Sequence, residues 1–178
     1  RVLDNPFWFI WHRRLGYLAF GLMILALGLS LYVHKGSWPS IGVHALTGWV
    51  VVMLGIAQIG NALLRGTHGG PIDPFTRNLR PPEQWAGDHY CMTRRRVLFE
   101  YFHKIIGYIA LLVSLGTIVS GLCLTDAPRW MWLGVLATVM LYAVAFTLLQ
   151  RRGLCVDTYQ AIWGLDSSLP GNVRRQPI

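Results

Sequence analysis

The chain has 178 residues, of which 53% are hydrophobic, and its mean hydropathy is +0.42. This composition is too apolar for an ordinary soluble domain and is typical of a membrane protein. The formal net charge is +8, but no basic patch with interleaved aromatic residues lies outside the apolar segments, which argues against nucleic-acid binding. Cys91, Cys123 and Cys155 form no CxxC pair, so the sequence indicates neither a disulfide framework nor a structural zinc site.

Four apolar segments are each long enough to cross a bilayer, which takes roughly 20 residues. We predict an all-α transmembrane helical bundle over residues 1–152, followed by a polar C-terminal tail over 153–178. The predicted spans are about 7–33, 41–64, 101–124 and 130–149. Because the first residue is Arg1 rather than Met, we expect a processed product or a piece of a longer protein.

The connection between the second and third spans, residues 65–100, is long and rich in Gly, Pro and Arg. It is expected to be either a solvated basic loop or an ordered cap over the bundle, since loops of this length are often functional. Fourteen of the 16 Lys and Arg residues fall on the side of this loop and of both termini, and only Lys35 and Arg129 fall on the other. The positive-inside rule therefore predicts that the loop and the termini are cytoplasmic, or on the equivalent side.

A histidine followed by a glycine four residues later, and then by an aromatic residue, occurs three times, each time at the start of an apolar segment. The three copies are His12–Gly16–Tyr17, His44–Gly48–Trp49 and His103–Gly107–Tyr108. Residues i and i+4 share one face of a helix. The imidazole is a metal ligand, and the glycine one turn on leaves room for a flat macrocycle against the backbone. With no CxxC pair nearby, the pattern predicts non-covalently bound haem b.

The direction of each span sorts the three histidines by depth. The first and third spans run the same way, so His12 and His103 are predicted to lie at matching depth on the basic side and to hold one haem iron from both faces. Two axial histidines leave no open position on the iron, which favours electron transfer over oxygen chemistry. Candidate partners for haem propionates or for an anionic electron donor are Arg13, Arg14, Lys104 and the run Arg94–Arg96.

The other four histidines differ from this pair in the direction of their span or in the spacing of their neighbours. His44 starts a span that runs the other way, so it is predicted to be a ligand near the opposite surface, where this chain offers it no partner of the same spacing. His34, His68 and His89 lack the glycine and the aromatic residue at the required spacing. We do not predict them to be ligands.

Four stretches resemble the cytochrome b561 family, and most closely the membrane domain of its DOMON-linked branch. They are residues 5–12 (NPFWFIWH), 43–44 (VH), 62–65 (ALLR) and 100–108 (EYFHKIIGY). The resemblance covers roughly residues 6–124 apart from the long loop. It implies part of a six-helix bundle that carries electrons from a cytoplasmic donor, often ascorbate, to an acceptor across the membrane. It also implies two haem b groups, with His12 and His103 on the cytoplasmic-side haem and His44 on the other.

The chain departs from the family pattern in two ways. The first two helices and the fourth histidine are not matched, so one or two haems are expected, and other membrane subunits are candidate sources of the missing helices. The loop over 65–100 is longer than the family's usual link, which makes a docked protein donor or a quinol an alternative to ascorbate. The alternative functions are a quinone-linked cytochrome b subunit of a larger respiratory or dehydrogenase complex, and a haem-poor structural membrane subunit.

Overall fold

The computed structural model describes residues 7–33, 42–154 and 157–173, and in these ranges it is helical, with no β-strand. Four helices are long and apolar enough to cross a membrane, which confirms the predicted fold class. They are α1 (Phe7–Val33), α2 (Val43–Leu63), α3 (Arg94–Leu124) and α4 (Arg129–Arg151). A short helix, α5 (Thr158–Trp163), and a 3-10 turn (Pro82–Gln84) lie outside these four.

Helix α3 begins at Arg94, whereas the sequence predicted a span from about residue 101. Thr93 caps the helix, because its side chain accepts a hydrogen bond from the backbone N–H of Arg96 at 3.4 Å. One turn further on, the Arg96 guanidinium pairs with the Glu100 carboxylate at 3.0 Å, in the i, i+4 arrangement that suits a helix surface. The charged first turns are therefore helical although they are not apolar.

Helices α2 and α3 form the packed centre of the bundle, and α1 touches α2 in fewer places. The α1–α2 contact is close at Gly55, where an added Cβ would lie 2.8 Å from Met23 Cε and 3.3 Å from Phe20 Cδ2. None of the described residues of α1 or α4 is buried. Their exposed side chains are largely apolar, which suits contact with hydrocarbon rather than with water.

The long connection is ordered, and its two ends are tied together at the start of α3. The Asp88 carboxylate accepts hydrogen bonds from the backbone N–H of Thr67 at 2.9 Å and from the hydroxyl of Thr93 at 2.7 Å. Donation by Thr93, and then by Thr67, lowers the pKa of Asp88. These bonds favour the second of the two expectations for this segment, an ordered loop. We refer to residues 66–93 together with 157–173 as the cap.

Residues 157–173, within the polar C-terminal tail predicted for 153–178, pack on the loop through buried aromatic rings. Tyr159 is fully buried, and its hydroxyl donates to the carbonyl of Tyr90 at 2.9 Å. The ring of Trp163 lies 4.6 Å from that of His89 and 5.2 Å from that of His68. Buried apolar contacts of this kind hold the two chain segments together as one unit.

Candidate functional site

The structure brings His12 of α1 and His103 of α3 together. Their ring centres are 5.9 Å apart, and the ring planes make an angle of 73°. Two metal–nitrogen bonds of about 2 Å each, together with the radii of the two imidazole rings, come to about 6 Å. The spacing of the two rings therefore suits a single metal ion held between them.

Both histidines line a cavity of about 750 Å³ between α1, α2 and α3. Its walls are largely apolar, and the cap contributes to its lining. The apolar lining includes Trp8, Phe9, Ala19, Phe20, Met23, Val51, Ile59, Ala62 and Phe99, and the cap supplies Gly66, Asp157 and Thr158. Cofactor sites are typically concave and mostly apolar, with a few placed polar groups and volumes of about 300–1,000 Å³.

The His103 ring stacks on a neighbouring aromatic ring but has one nitrogen unsatisfied. Its ring stacks on that of Phe99, with centres 5.3 Å apart and planes 23° apart. The guanidinium of Arg96 lies 4.9 Å from the centre of the Phe99 ring. His103 Nδ1 is buried and has no hydrogen-bond partner among the described residues. A buried imidazole nitrogen without a partner is costly, so this ring has one contact still to be supplied.

Four positively charged side chains line the cavity. Arg13, Arg65, Arg96 and Lys104 all line it, against the carboxylate of Glu100 and of Asp157. Burial, followed by repulsion from Arg96, lowers the pKa of Arg65 to about 10. An anionic group here would relieve that repulsion, so the wall suits the carboxylates of a haem or of an anionic donor.

These features together match haem b by its chemistry: a pair of imidazoles at metal spacing, a largely apolar cavity and cations for two propionates. His12 and His103 would be the axial ligands. The cations on the cavity wall would hold the propionates; of these, Arg13, Arg96 and Lys104 were predicted from the sequence and Arg65 was not. Arg14 instead lies over Trp11, 5.7 Å from its ring centre.

The glycines of the repeated pattern differ in what lies beside them. Gly16 lines the cavity, and an added Cβ there would meet nothing within 4 Å. Gly48 is equally open. At Gly107 the space is taken by another residue, because an added Cβ would lie 2.9 Å from Gln58 Nε2. Gly107 thus makes room for the Gln58 amide.

His44 lies at the start of α2, against the last turns of α3. Its Nδ1 is 3.0 Å from the carbonyl of Thr117 and 3.3 Å from the hydroxyl of Ser120. A carbonyl partner for Nδ1 is the usual arrangement for a histidine that binds metal through Nε2. The structure does not bring His44 to the cavity that holds His12 and His103. His34, which follows α1, lies outside the described residues.

Sequence reasoning missed several residues of the site. Gln58 and Arg65 line the cavity but match no pattern, and Phe99 was not singled out although it lies four residues before His103. A glutamine in the middle of an apolar span is itself a signal, because polar side chains in membrane helices usually face protein or a cavity. His68 and His89, not predicted to be ligands, belong to the cap, with ring centres 5.5 Å apart.

Comparisons with models of protein families, with characterised proteins and with solved structures give no match. What the cavity binds is therefore inferred from its own residues.

Proposed function

We propose that this protein is a transmembrane haem b electron carrier of the cytochrome b561 type. It would pass electrons between a donor on the side of the cap and an acceptor across the membrane. The observation that carries the proposal is the His12–His103 pair, with its ring centres 5.9 Å apart on the wall of a largely apolar cavity. A haem held there by His12 and His103 would supply one-electron redox chemistry.

The residues around the cavity have separate roles in this proposal. His12 and His103 fix the cofactor from helices α1 and α3, and Phe99 restrains the His103 ring by stacking. Arg13, Arg65 and the other cations of the cavity wall neutralise the carboxylates of the haem. The apolar walls exclude water from the rest of the cavity, which strengthens these charge interactions.

The donor would approach from the side of the cap, which contributes Gly66, Asp157 and Thr158 to the cavity lining. The excess of cations there suits an anionic, ascorbate-like donor. A quinol is the second candidate, favoured by the apolar lining that α1 and α2 give the cavity. Reduction of the purified protein by ascorbate, compared with reduction by a short-chain quinol and its suppression by quinone-site inhibitors, separates the two donors.

The experiment that tests the cofactor is a pyridine haemochrome assay on the purified protein, normalised to protein. We expect at least one haem b per chain, and the loss of one haem per chain in both His12→Ala and His103→Ala. His68→Ala is the matched control, because it removes a histidine of the cap without touching the pair, and it should keep the wild-type content. A wild-type protein that binds no haem would contradict the proposal and favour a structural membrane subunit.

A further inference from the structure

Gln58 is a polar residue in the apolar helix α2, and it is directed at α3. Its Nε2 donates to the backbone carbonyl of His103 at 2.8 Å. The amide occupies the space beside Gly107, so a side chain at that position would displace it. Polar groups inside a membrane are expensive and are commonly functional. A glutamine here thus needs a reason beyond filling space.

Two atoms at this place lack partners and are complementary. Gln58 Oε1, an acceptor, and His103 Nδ1, a nitrogen able to carry a proton, are both buried with no hydrogen-bond partner within the described part of the chain. Both residues line the same cavity. Leaving either atom unsatisfied is costly, and the cost of both is removed if His103 Nδ1 donates to Gln58 Oε1.

We infer that Gln58 is a positioning residue for His103, and that its Oε1 accepts the proton on His103 Nδ1. The bond forms directly after rotation of the amide, or through one water molecule. It fixes the tautomer that leaves the lone pair of Nε2 facing the cavity, and it increases the basicity of the ring. The inference rests on the proposed role of His103 as a ligand, which it deepens.

Asn61 provides a matched control on the same helix. Its Nδ2 donates to the carbonyl of Phe99 at 3.4 Å, so it makes the same kind of bond from α2 to α3, one turn away from the histidine. Asn61 does not line the cavity as Gln58 does. If Gln58 only joined the two helices, replacing either residue should have the same effect on the site.

The test compares Gln58→Leu, Gln58→Glu and Asn61→Leu in the full chain by haem titration, redox titration and ¹⁵N NMR of histidine. Removing an outer hydrogen-bond partner of a metal ligand typically weakens binding by about 10–100-fold, and we expect that loss in Gln58→Leu. A tenfold loss confined to the ferric form would raise the midpoint potential by about 59 mV. Gln58→Glu, which keeps a carbonyl oxygen in place, should restore most of the affinity, and Asn61→Leu should match wild type.

The NMR measurement separates this inference from the proposed function. In the haem-free protein, His103 should be protonated at Nδ1 in wild type and shift toward the Nε2 tautomer in Gln58→Leu. Wild-type tautomer, affinity and potential in Gln58→Leu would overturn the inference while leaving the haem assignment intact. Equal changes in Asn61→Leu would overturn it too. Absence of haem from the wild-type protein would contradict the proposed function. The tautomer of His103 would still report the Gln58–His103 contact.

Discussion

At the scale of single residues, His44 is held in one orientation before any ligand is considered. Its Nδ1 is bonded to α3, and its ring lies so close to Gly121 that a Cβ there would be 2.8 Å from Cε1 and 3.1 Å from Nδ1. An imidazole is rigid, so it cannot give way by bending. The glycine is therefore what allows the ring to lie against the backbone of α3.

Gly121→Ala is expected to push the His44 ring away and to break its bond to Thr117, which is worth about 1 kcal/mol. The measurement is the ¹⁵N and ¹H resonances of the His44 ring in histidine-labelled protein. Gly116→Ala is the matched control on the same helix, because an added Cβ there meets nothing within 4 Å. An unchanged His44 spectrum in Gly121→Ala would contradict the close contact.

Some residues of the site can be predicted from their own stretch of sequence, and others only from the packing of the helices. His12 and His103 were predicted to share a depth because each begins an apolar run and the two runs point the same way, and the structure brings their rings together. Gln58 could not be paired with His103 from the sequence, because their contact joins residues 45 positions apart on different helices. Only the packing of α2 on α3 determines it.

Among the secondary-structure elements, hydropathy predicted the four membrane helices. It did not predict the residue at which α3 begins or that the cap has a defined fold. The first turns of α3 are stabilised by the N-cap hydrogen bond to the Thr93 side chain and by the Arg96–Glu100 ion pair. Neither adds to the hydropathy of the sequence. The cap depends on contacts between residues far apart in the chain, such as Tyr159 with Tyr90. Composition alone does not distinguish such a fold from a solvated loop.

The cap contains a close backbone crossing that tests whether it is as tightly packed as described. Gly69 has φ +69°, and an added Cβ would lie 2.6 Å from the carbonyl oxygen of Trp85 and 2.7 Å from Gly87 Cα. Gly69→Ala should therefore cost more than the roughly 1–2 kcal/mol of a left-handed backbone alone. Protection of the cap from limited proteolysis, measured against temperature, reports the loss.

Gly164, which lies in the cap itself, supplies the comparison for that measurement. It has φ +97° but nothing within 4 Å of an added Cβ, so Gly164→Ala carries a backbone cost without the clash. Equal effects of the two substitutions would mean that the backbone crossing at Gly69 is not tight. A larger effect at Gly69 is the expected result.

The cap should also weaken in acid. Burial, followed by repulsion from Arg65, Arg80 and Arg96, lowers the pKa of His68 to about 4, and Asp73 opposes this only weakly. Because the pKa in the folded state lies below the usual value of 6.5, the stabilisation is complete above pH 6.5 and is lost as the pH falls toward 4. Hydrogen exchange at the Tyr90 amide, which donates to the His68 carbonyl, measures the opening of the cap.

His68→Gln isolates this contribution, since glutamine does not titrate. After division by the intrinsic exchange rate, which itself falls with the pH, the exchange of the Tyr90 amide should rise less between pH 6.5 and 4 in the variant than in wild type. Asp88 does not account for the change in the upper part of that range, because hydrogen bonds from Thr93 and Thr67 lower its pKa and keep it ionised. The same pH dependence in the variant and the wild type would exclude His68 as its source.

At the scale of the whole molecule, the protein is polarised along the membrane normal. The His12–His103 pair, the cavity and the cap lie toward one end of the helices, and His44 lies at the start of α2 against the end of α3. By the topology that the sequence predicts, 14 of the 16 Lys and Arg residues fall on the side of the cap. An electron entering at the cavity would thus begin its path on the basic side.

That sidedness is a prediction of the charge distribution, and cysteine labelling can test it. Cys91 is exposed in the cap, and Thr125 is exposed in the turn between α3 and α4. With Cys123 and Cys155 replaced by serine, Cys91 should react with a membrane-impermeant maleimide only in inverted vesicles or after permeabilisation. In the same background with Cys91 also replaced by serine, Thr125→Cys should react in intact cells. The positive-inside rule requires this pattern, because Lys and Arg are retained on the cytoplasmic side. The reverse pattern would place the donor side of the proposed carrier outside the cytoplasm, and labelling of both cysteines from one side would contradict an α3 that crosses the membrane.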